Sequence, residues 1–447
     1  RDEIIPFIHE LRSLAETPLF IASDIERGVG QQIEGSTSFP CPMATAAAIS
    51  RENPEDLSLL REMVGAIAAE ALAAGIDMPF LPVLDVNSNP DNPIICTRAF
   101  SDRPEEVAWF GKEYIKTLEA GGLLSCGKHF PGHGDTAVDS HMALPVIRKS
   151  QAELRACEIP PFAAGIEAGV SCIMAGHLTV PALDELPATL SRKVLIGLLR
   201  EELGFQGLII TDALNMDALR EMGNVPALCM AAGADILLHP RNAHETVREL
   251  ASGIASGMVD EARIDEALTR IALAQKKVRR EGMRIDYEKN RRLSQEITRR
   301  SITLVKETEA ALPLTDRQGI TLFFAGDQEM YDGSLLCRQF RTMPLTDHTG
   351  FTGGIALFCL FTRASAWKGS SDIGQEEISL IKKVMAQADR SIVISFGSPY
   401  SLRHFPEAEI LIAAYEANEQ AQMAVLETLL EGRFTGRLPV RIFHGRD

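Results

Sequence analysis

A chain of 447 residues has room for two or three domains, or for one barrel plus an appendage, and ample length to bury a core. Its 45 basic and 61 acidic side chains give a formal net charge of −16, which repels nucleic acid and anionic membrane, and no cluster of six or more basic residues offsets it. No apolar run approaches the roughly 18 residues needed to span a bilayer.

Eight cysteines are scattered without a CxxC pair, and Cys126, Cys172 and Cys359 sit in apolar strand-like runs where a thiol acts as a small hydrophobe. A reducing, cytoplasmic compartment is therefore expected. Nothing at the start resembles a signal peptide, although the first residue is Arg1 rather than Met and a periplasmic or secreted origin stays open.

In chain order, residues 3–14 put Ile4, Ile5, Ile8 and Leu11 on one side of a helix, and Pro18 hands over to a strand at 19–22 followed at once by Asp24. A glycine-rich stretch, DIERGVGQQIEGSTSFP, leads to a helix opened by Asn53 and Pro54 and stopped by Gly75. PFLPVLDV is the next strand and ends in Asp85 and Asn87. A loop carrying Arg98 follows, then a helix with Asp102 as its cap and Glu105 three residues on, running to Gly121. The apolar lead LLSC feeds Gly127, Lys128 and His129, and Pro131, Gly132 and Gly134 then forbid regular structure, so a strand delivers a reactive loop. Ser150 with Glu153 is a capping box, Gly169 closes that helix, and SCIMAGHL is a strand ending in His177. A helix from Ser191 to Gly204, the buried strand GLIITDALNM with Asp212, and ADILLHP complete six strands before residue 241.

Short apolar strands alternating with helices describe a parallel sheet covered by helices. Polar groups stand at the C-terminal ends of many strands (Asp24, Asp85, Lys128 with His129, His177, Asp212). This distribution points to a (β/α)8 TIM-type barrel, not to the single switch point of an open sheet. Six counted strands leave the barrel two short, one of them expected before Arg1, so that this chain would lack the first strand. Beyond a helical region with Ile264, Leu268, Ile271 and Val278 on one face, the basic run KKVRREGMR reads as a solvated helix end. The apolar strands ITLFFAG, IALFCLF, SIVISFG and ILIAAYE then form a smaller α/β sandwich domain without GxGxxG or GxxxxGK[ST]. The expected boundaries are a barrel over 1–285, a linker over 286–312 and the second domain over 313–447.

Strand-end carboxylates, histidines, a lysine and an arginine suit a polyhydroxylated ligand, because hydroxyls need acceptors and charged donors in fixed places. Glycosidic cleavage needs a carboxylate at the anomeric centre and a proton donor for the leaving oxygen. Asp212 ends the most apolar strand and is the expected nucleophile; its structural alternative is a helix N-cap. Asp139 and His141, two apart on an irregular loop, form a dyad in which the carboxylate orients the imidazole. The i, i+4 spacing of His129 and His133 would suit two metal ligands on a helix, but Pro131 and Gly132 break that helix, and no metal is expected.

These residues resemble glycoside hydrolase family 3, and within it the β-N-acetylglucosaminidases. The resemblance covers most of the chain. Its pieces are PVLDVN (82–87), TRAF (97–100), KHFPGHGDT (128–136), DSH (139–141), IMAGH (173–177), TDALNM (211–216), AGADILL (232–238) and SITLVKETEAALPL at the entry to the second domain, with KHFPGHG and the downstream DSH the most specific. The resemblance implies a retaining glycoside hydrolase, a β-N-acetylhexosaminidase that removes terminal β-linked N-acetylglucosamine from peptidoglycan- or chitin-derived fragments, with a role in peptidoglycan recycling. Asp212 would form the glycosyl-enzyme and Asp139 with His141 would be the acid/base pair. Asp24, Arg98, Lys128 and His129 would bind the sugar hydroxyls, and the strand-end His177 is grouped with them. The partner is a small carbohydrate, and no cofactor is implied; oligomeric state is left open. In this chain Arg27 stands where the family usually has glycine, and Gln32 where a basic residue is usual. Competing readings are a phosphorylase or β-glucosidase of the same family and a catalytically silent sugar-binding protein.

Overall fold

A computed structural model describes residues 1–140, 142–220, 222–278, 284–308, 312–314, 317, 319–347, 350–365 and 368–443. Strands in the first half are β1 (Ala22–Ser23), β2 (Met78–Pro79), β3 (Cys126–Phe130), β4 (Cys172–Ala175), β5 (Thr179–Val180), β6 (Asp184–Pro187) and β7 (Leu208–Thr211). β1 pairs with β2, β3 with β4 and β4 with β7, all parallel. Single parallel bridges, Val83 to Lys128 and Ile210 to Ile236, extend this ladder on both sides. Six parallel segments thus stand side by side in chain order, the barrel-type arrangement, with helices on the outside. β5 and β6 form an antiparallel hairpin inserted after β4, which the strand count did not anticipate.

The side-chain alternation of a strand fills the space these segments enclose. Met78 and Phe80, Leu124 and Cys126, Cys172 and Met174, and Leu208 and Ile210 form one buried cluster, with Phe20, Ile236 and Leu238 packed against it. Ile271, Ala274 and Val278, from the helix Glu261–Gln275 and the turn after it, join the same cluster. On the opposite face of the strands, Leu84, Ile173 and Ile209 pack against helical residues such as Ile115, Phe162, Leu195 and Leu199. Leu84 is seated tightly enough that a Cβ on Gly111 or Gly127 would lie 2.4 or 2.6 Å from it, which is why both are glycine.

Helix-end signals at Asn53, Gly75 and Ser150 were realised, but the helix expected between Ser150 and Gly169 is two, Gln151–Ala156 and Ile159–Glu167. Asn53 caps Pro54–Ala74 by accepting from the Glu55 N–H, Gly75 ends it with φ 84°, and the Ser150–Glu153 capping box is present. Asp102 does not cap the helix Pro104–Ala120; its carboxylate accepts instead from the backbone N–H of Arg441, tying the start of that helix to the C-terminal segment. No helix among the described residues is long and apolar enough to cross a membrane.

The second half holds β8 (Thr303–Glu307), β9 (Ile320–Gly326), β10 (Arg341–Thr342), β11 (Ile355–Phe361), β12 (Arg390–Phe396) and β13 (Ile410–Ala413) in one sheet of order β10-β9-β11-β12-β13-β8. All neighbours are parallel except β8 and β13. The segment 286–312, expected as a linker, therefore carries the helix Tyr287–Ser301 and an edge strand of the second sheet. Its physical reason is apolar: Leu293 and Ile297 enter the first core and Ile302 the second. Cys41, Met43, Ala44 and Ala47 of the first half bury themselves among Phe358, Leu411 and Tyr415 of the second, so the two halves share a hydrophobic contact.

Candidate active site

Alternation along three strands carries the lumen pattern one step further, to polar groups at the mouth. Above Phe20 and Ala22 comes Asp24, above Leu124 and Cys126 comes Lys128, and above Leu208 and Ile210 comes Asp212. All three line one cleft of about 840 Å³, together with Glu26, Arg98, His129 and Ser140.

The cations here are matched. Lys128 is 1% exposed, and its Nζ donates to Asp24 Oδ1 at 2.6 Å and lies 2.7 Å from Glu26 Oε1. Arg98 grips Glu26 with both arms, Nε to Oε2 at 2.9 Å and Nη2 to Oε1 at 2.7 Å, while Nη1 donates to the Ile94 carbonyl. Burial pushes the Glu26 carboxyl up, but Arg98 and Lys128 more than offset it and hold it well below the ordinary range. Burial depresses Lys128, and Asp24 and Glu26 reverse this to leave it raised and charged. Glu26 was absent from the expected site. The signal that could have found it is its i, i+2 spacing from Asp24, which puts both carboxylates on one side of an extended segment.

A second buried pair orients the next group. Asp85 accepts from the backbone N–H of His129 and of His133 and lies 2.7 Å from His129 Nδ1, which leaves Nε2 of that ring toward the cleft. Burial raises the Asp85 carboxyl, and His129 and His133 bring it below its usual value. His133 has both nitrogens engaged, Nδ1 with Thr136 Oγ1 at 2.8 Å and Nε2 with Ser140 Oγ at 3.0 Å, so it folds the loop back on itself and offers no free lone pair to a metal. Burial and the neighbouring His129 push it down to about 4. Asp139 is buried beside Ser140, its carbonyl accepting from Met142 and Ala143. His141 lies outside the described residues.

Asp212 is not a helix cap. Its Oδ1 accepts from the adjacent Ala213 N–H at 2.8 Å, and the next helical turn begins only at Asp217. Burial raises the carboxyl, but His129, His177, the Ala213 amide and Lys128 together bring it below its ordinary value, so it stands ionised at the cleft. His177, expected to touch substrate, does not line the cleft. It is fully buried, with Nδ1 2.9 Å from Thr189 Oγ1 and Nε2 3.2 Å from the Ala213 carbonyl. It thereby braces the residue next to Asp212.

The far wall belongs to the second half. Met330, Thr362, Arg363, Ala364, Ser365 and Tyr415–Asn418 all follow the C-terminal ends of β9, β11 and β13. Arg27 crosses to this wall, Nη1 3.3 Å from Glu416 Oε1. Glu416 also accepts from Cys41 N and Asn418 Nδ2; burial keeps its carboxyl raised despite Arg27. His239, at φ 45° after the sixth parallel segment, completes the rim, and nothing in its sequence neighbourhood singled it out.

Residues 7–274 match the Glycosyl hydrolase family 3 N terminal domain. The chain belongs to that family. Among curated family 3 relatives it is 34% identical over 366 residues to Beta-hexosaminidase A of Pseudoalteromonas piscicida, covering 73% of this chain and 60% of that protein. It is 30% identical to the Beta-N-acetylglucosaminidase/beta-glucosidase of Cellulomonas fimi, over 98% of this chain and 86% of that one. Among solved structures, a family 3 beta-N-acetylglucosaminidase from Paenibacillus superposes with a TM-score of 0.83 at 27% identity, covering 98% of this chain and 90% of that one. Beta-glucoside phosphorylase BglX does so at 0.88 and 26%, covering 99% and 87%. The chain thus spans about 60% of the length of the Pseudoalteromonas relative.

Proposed function

We propose that this chain is a retaining glycoside hydrolase that removes terminal β-linked N-acetylglucosamine from small peptidoglycan- or chitin-derived fragments. The observation that carries the reading is Asp212, an ionised carboxylate at the mouth of the barrel-type domain, facing a cleft whose matched Asp24, Glu26, Arg98 and Lys128 offer fixed acceptors and donors for ring hydroxyls. The names of the hexosaminidase relatives support it. The accompanying fold reading is a (β/α)8-type barrel followed by an α/β sandwich.

In this mechanism an Asp212 oxygen bonds to the anomeric carbon as the glycosidic C–O bond breaks, and the Asp139–His141 pair delivers a proton to the leaving oxygen. The same pair then takes a proton from water, whose oxygen displaces Asp212 and restores its carboxylate. Asp24, Glu26, Arg98, Lys128 and His129 hold the sugar, Asp85 keeps the His129 ring turned inward, and His177 braces the Asp212 turn. Asp212→Ala, assayed on an aryl N-acetyl-β-glucosaminide, should lose about four orders of magnitude in kcat, about 5.5 kcal/mol of barrier. Turnover within tenfold of the parent removes Asp212 from the nucleophile role. Absence of turnover in the parent supports sugar binding without catalysis.

The structural similarity to a beta-glucoside phosphorylase favours a second reading, in which phosphate replaces water in the second step and takes the glycosyl group from Asp212. Release of N-acetylglucosamine 1-phosphate in phosphate buffer distinguishes it from hydrolysis.

A further inference from the structure

The cleft carries one more recognition element, and its chemistry is set by an inventory of charge. Among the described residues four permanent cations line the cleft: Arg27, Arg98, Lys128 and Arg363. Three are spoken for. Lys128 is held by Asp24 and Glu26, Arg98 by Glu26, and Arg27 by Glu416 at 3.3 Å. Arg363 is different. Among the described residues its one ion-pair partner is Glu329, 4.0 Å away, with the two side chains 56% and 91% exposed, and its guanidinium donates no hydrogen bond to any described residue. An ion pair of that kind is screened by water and neutralises little.

The backbone at Arg363 is nonetheless anchored. It follows β11 directly, and its carbonyl lies 3.4 Å from Lys368 Nζ, which is itself anchored on Asp327 Oδ2 at 2.6 Å. The C-terminal edge of a parallel sheet is where such folds bind ligands, and Thr362, Ala364 and Ser365 of the same loop also line the cleft. Its position relative to the chemistry follows from the displacement. The proposed nucleophile and sugar-holding groups rise from the first domain, Arg363 lines the same cleft from the second, and a group displaced from the anomeric carbon departs on the side away from Asp212.

We propose that Arg363 forms an anion-binding subsite on the leaving-group side of the cleft, selecting a carboxylate or phosphate there. The inference rests on the glycosidase reading and deepens it from a sugar to a class of substrate. A forked, always charged donor pairs with the two oxygens of a carboxylate or phosphate far better than with a hydroxyl, and in a chain of net charge −16 an unmatched cation in a cleft marks where an anion is welcome. The anion has two possible sources, an acidic substituent of the leaving group or free inorganic phosphate.

Thioglycosides separate binding from turnover. Calorimetric titration of the parent with para-carboxyphenyl and para-carbamoylphenyl thioglycosides of N-acetylglucosamine should show tighter binding of the carboxylate, by about fivefold. Arg363→Ala should erase the ratio, Arg363→Lys keep part of it, and Arg363→Glu reverse it. Equal binding by the parent, or a ratio that survives Arg363→Ala, overturns the proposal. A parent with the preference that leaves the oxygen-linked counterparts uncleaved keeps the subsite and refutes the glycosidase reading, cleavage without preference does the opposite, and binding of neither ligand refutes both. Inorganic phosphate, at ionic strength matched with chloride, identifies the source. Displacement of the carboxylate thioglycoside from the parent, with the oxygen-linked counterpart converted to N-acetylglucosamine 1-phosphate and the free phenol, points to free phosphate, and absence of that conversion points to the leaving group.

Discussion

Glu26→Gln isolates the buried charge that pairs with Arg98 and Lys128. The substitution keeps the shape and removes the negative charge facing Arg98 and Lys128, at a position only 7% exposed. Removing one partner of a buried ion pair costs about 3–5 kcal/mol. Here the amide oxygen still accepts one bond and Asp24 remains 2.6 Å from Lys128, so a loss of about 2–3 kcal/mol is expected. The pH dependence has a definite sign. The Glu26 carboxyl lies well below its ordinary value because Arg98 and Lys128 outweigh its burial. A carboxyl lowered in the native state contributes stability that is complete above its unfolded pKa, about 4.3, and is lost as pH falls through the native value. The stability gap between parent and variant should therefore be flat from about pH 7 to about pH 5 and shrink only in stronger acid. Equilibrium urea unfolding followed by far-ultraviolet circular dichroism at a series of pH values measures it. A gap below about 0.5 kcal/mol at neutral pH, or one that widens on acidification, refutes the ion-pair account. On the proposed holding role of Arg98 and Lys128, the same variant should raise KM more than it lowers kcat.

Gly134→Ala tests the path of the reactive loop: an added Cβ would lie 1.7 Å from the Val86 carbonyl oxygen, so the backbone that carries Asp139 has to move. Turnover should drop at least about tenfold with the fold retained by circular dichroism, and an unaffected rate shows that the loop position is irrelevant. His133 supplies a second pH signature. Its native value near 4 lies below the unfolded value of 6.5, so the unfolded chain binds more protons between them, and native stability falls by about 3 kcal/mol as pH drops from about 6.5 to about 4. His133→Asn should flatten that part of the stability profile; an unchanged slope in urea unfolding removes His133 as its origin.

What the sequence revealed, and what it hid, follows the range of the interactions. Asp24, Lys128 and Asp212 were legible because strand alternation is local: an apolar residue two positions earlier faces the lumen, and the polar residue faces the mouth. Helix ends at Asn53, Gly75 and Ser150 were legible for the same reason. Glu26 was not, since its meaning lies in Arg98, 72 residues away, and in Lys128, on another strand. His177 was expected at the cleft because it ends a strand, whereas it lies buried against Thr189, a partner 12 residues away. Asp102 misled because its partner, the Arg441 N–H, is 339 residues distant. The role of 286–312 was hidden because the pairing of β8 with β13 becomes visible only once the second sheet is assembled.

The parallel strands of both halves present their C-terminal ends to the same cleft, one half supplying Asp212, the proposed nucleophile, and the other another wall. Two sets of loops with separate structural supports can vary independently. Insertions or exchanges after β9, β11 and β13 would reshape one wall of the cleft while Asp212, Lys128 and Glu26 stay seated on their own segments. Descent from such an arrangement would yield lineages that share one chemistry at the anomeric carbon and diverge in what they release from it.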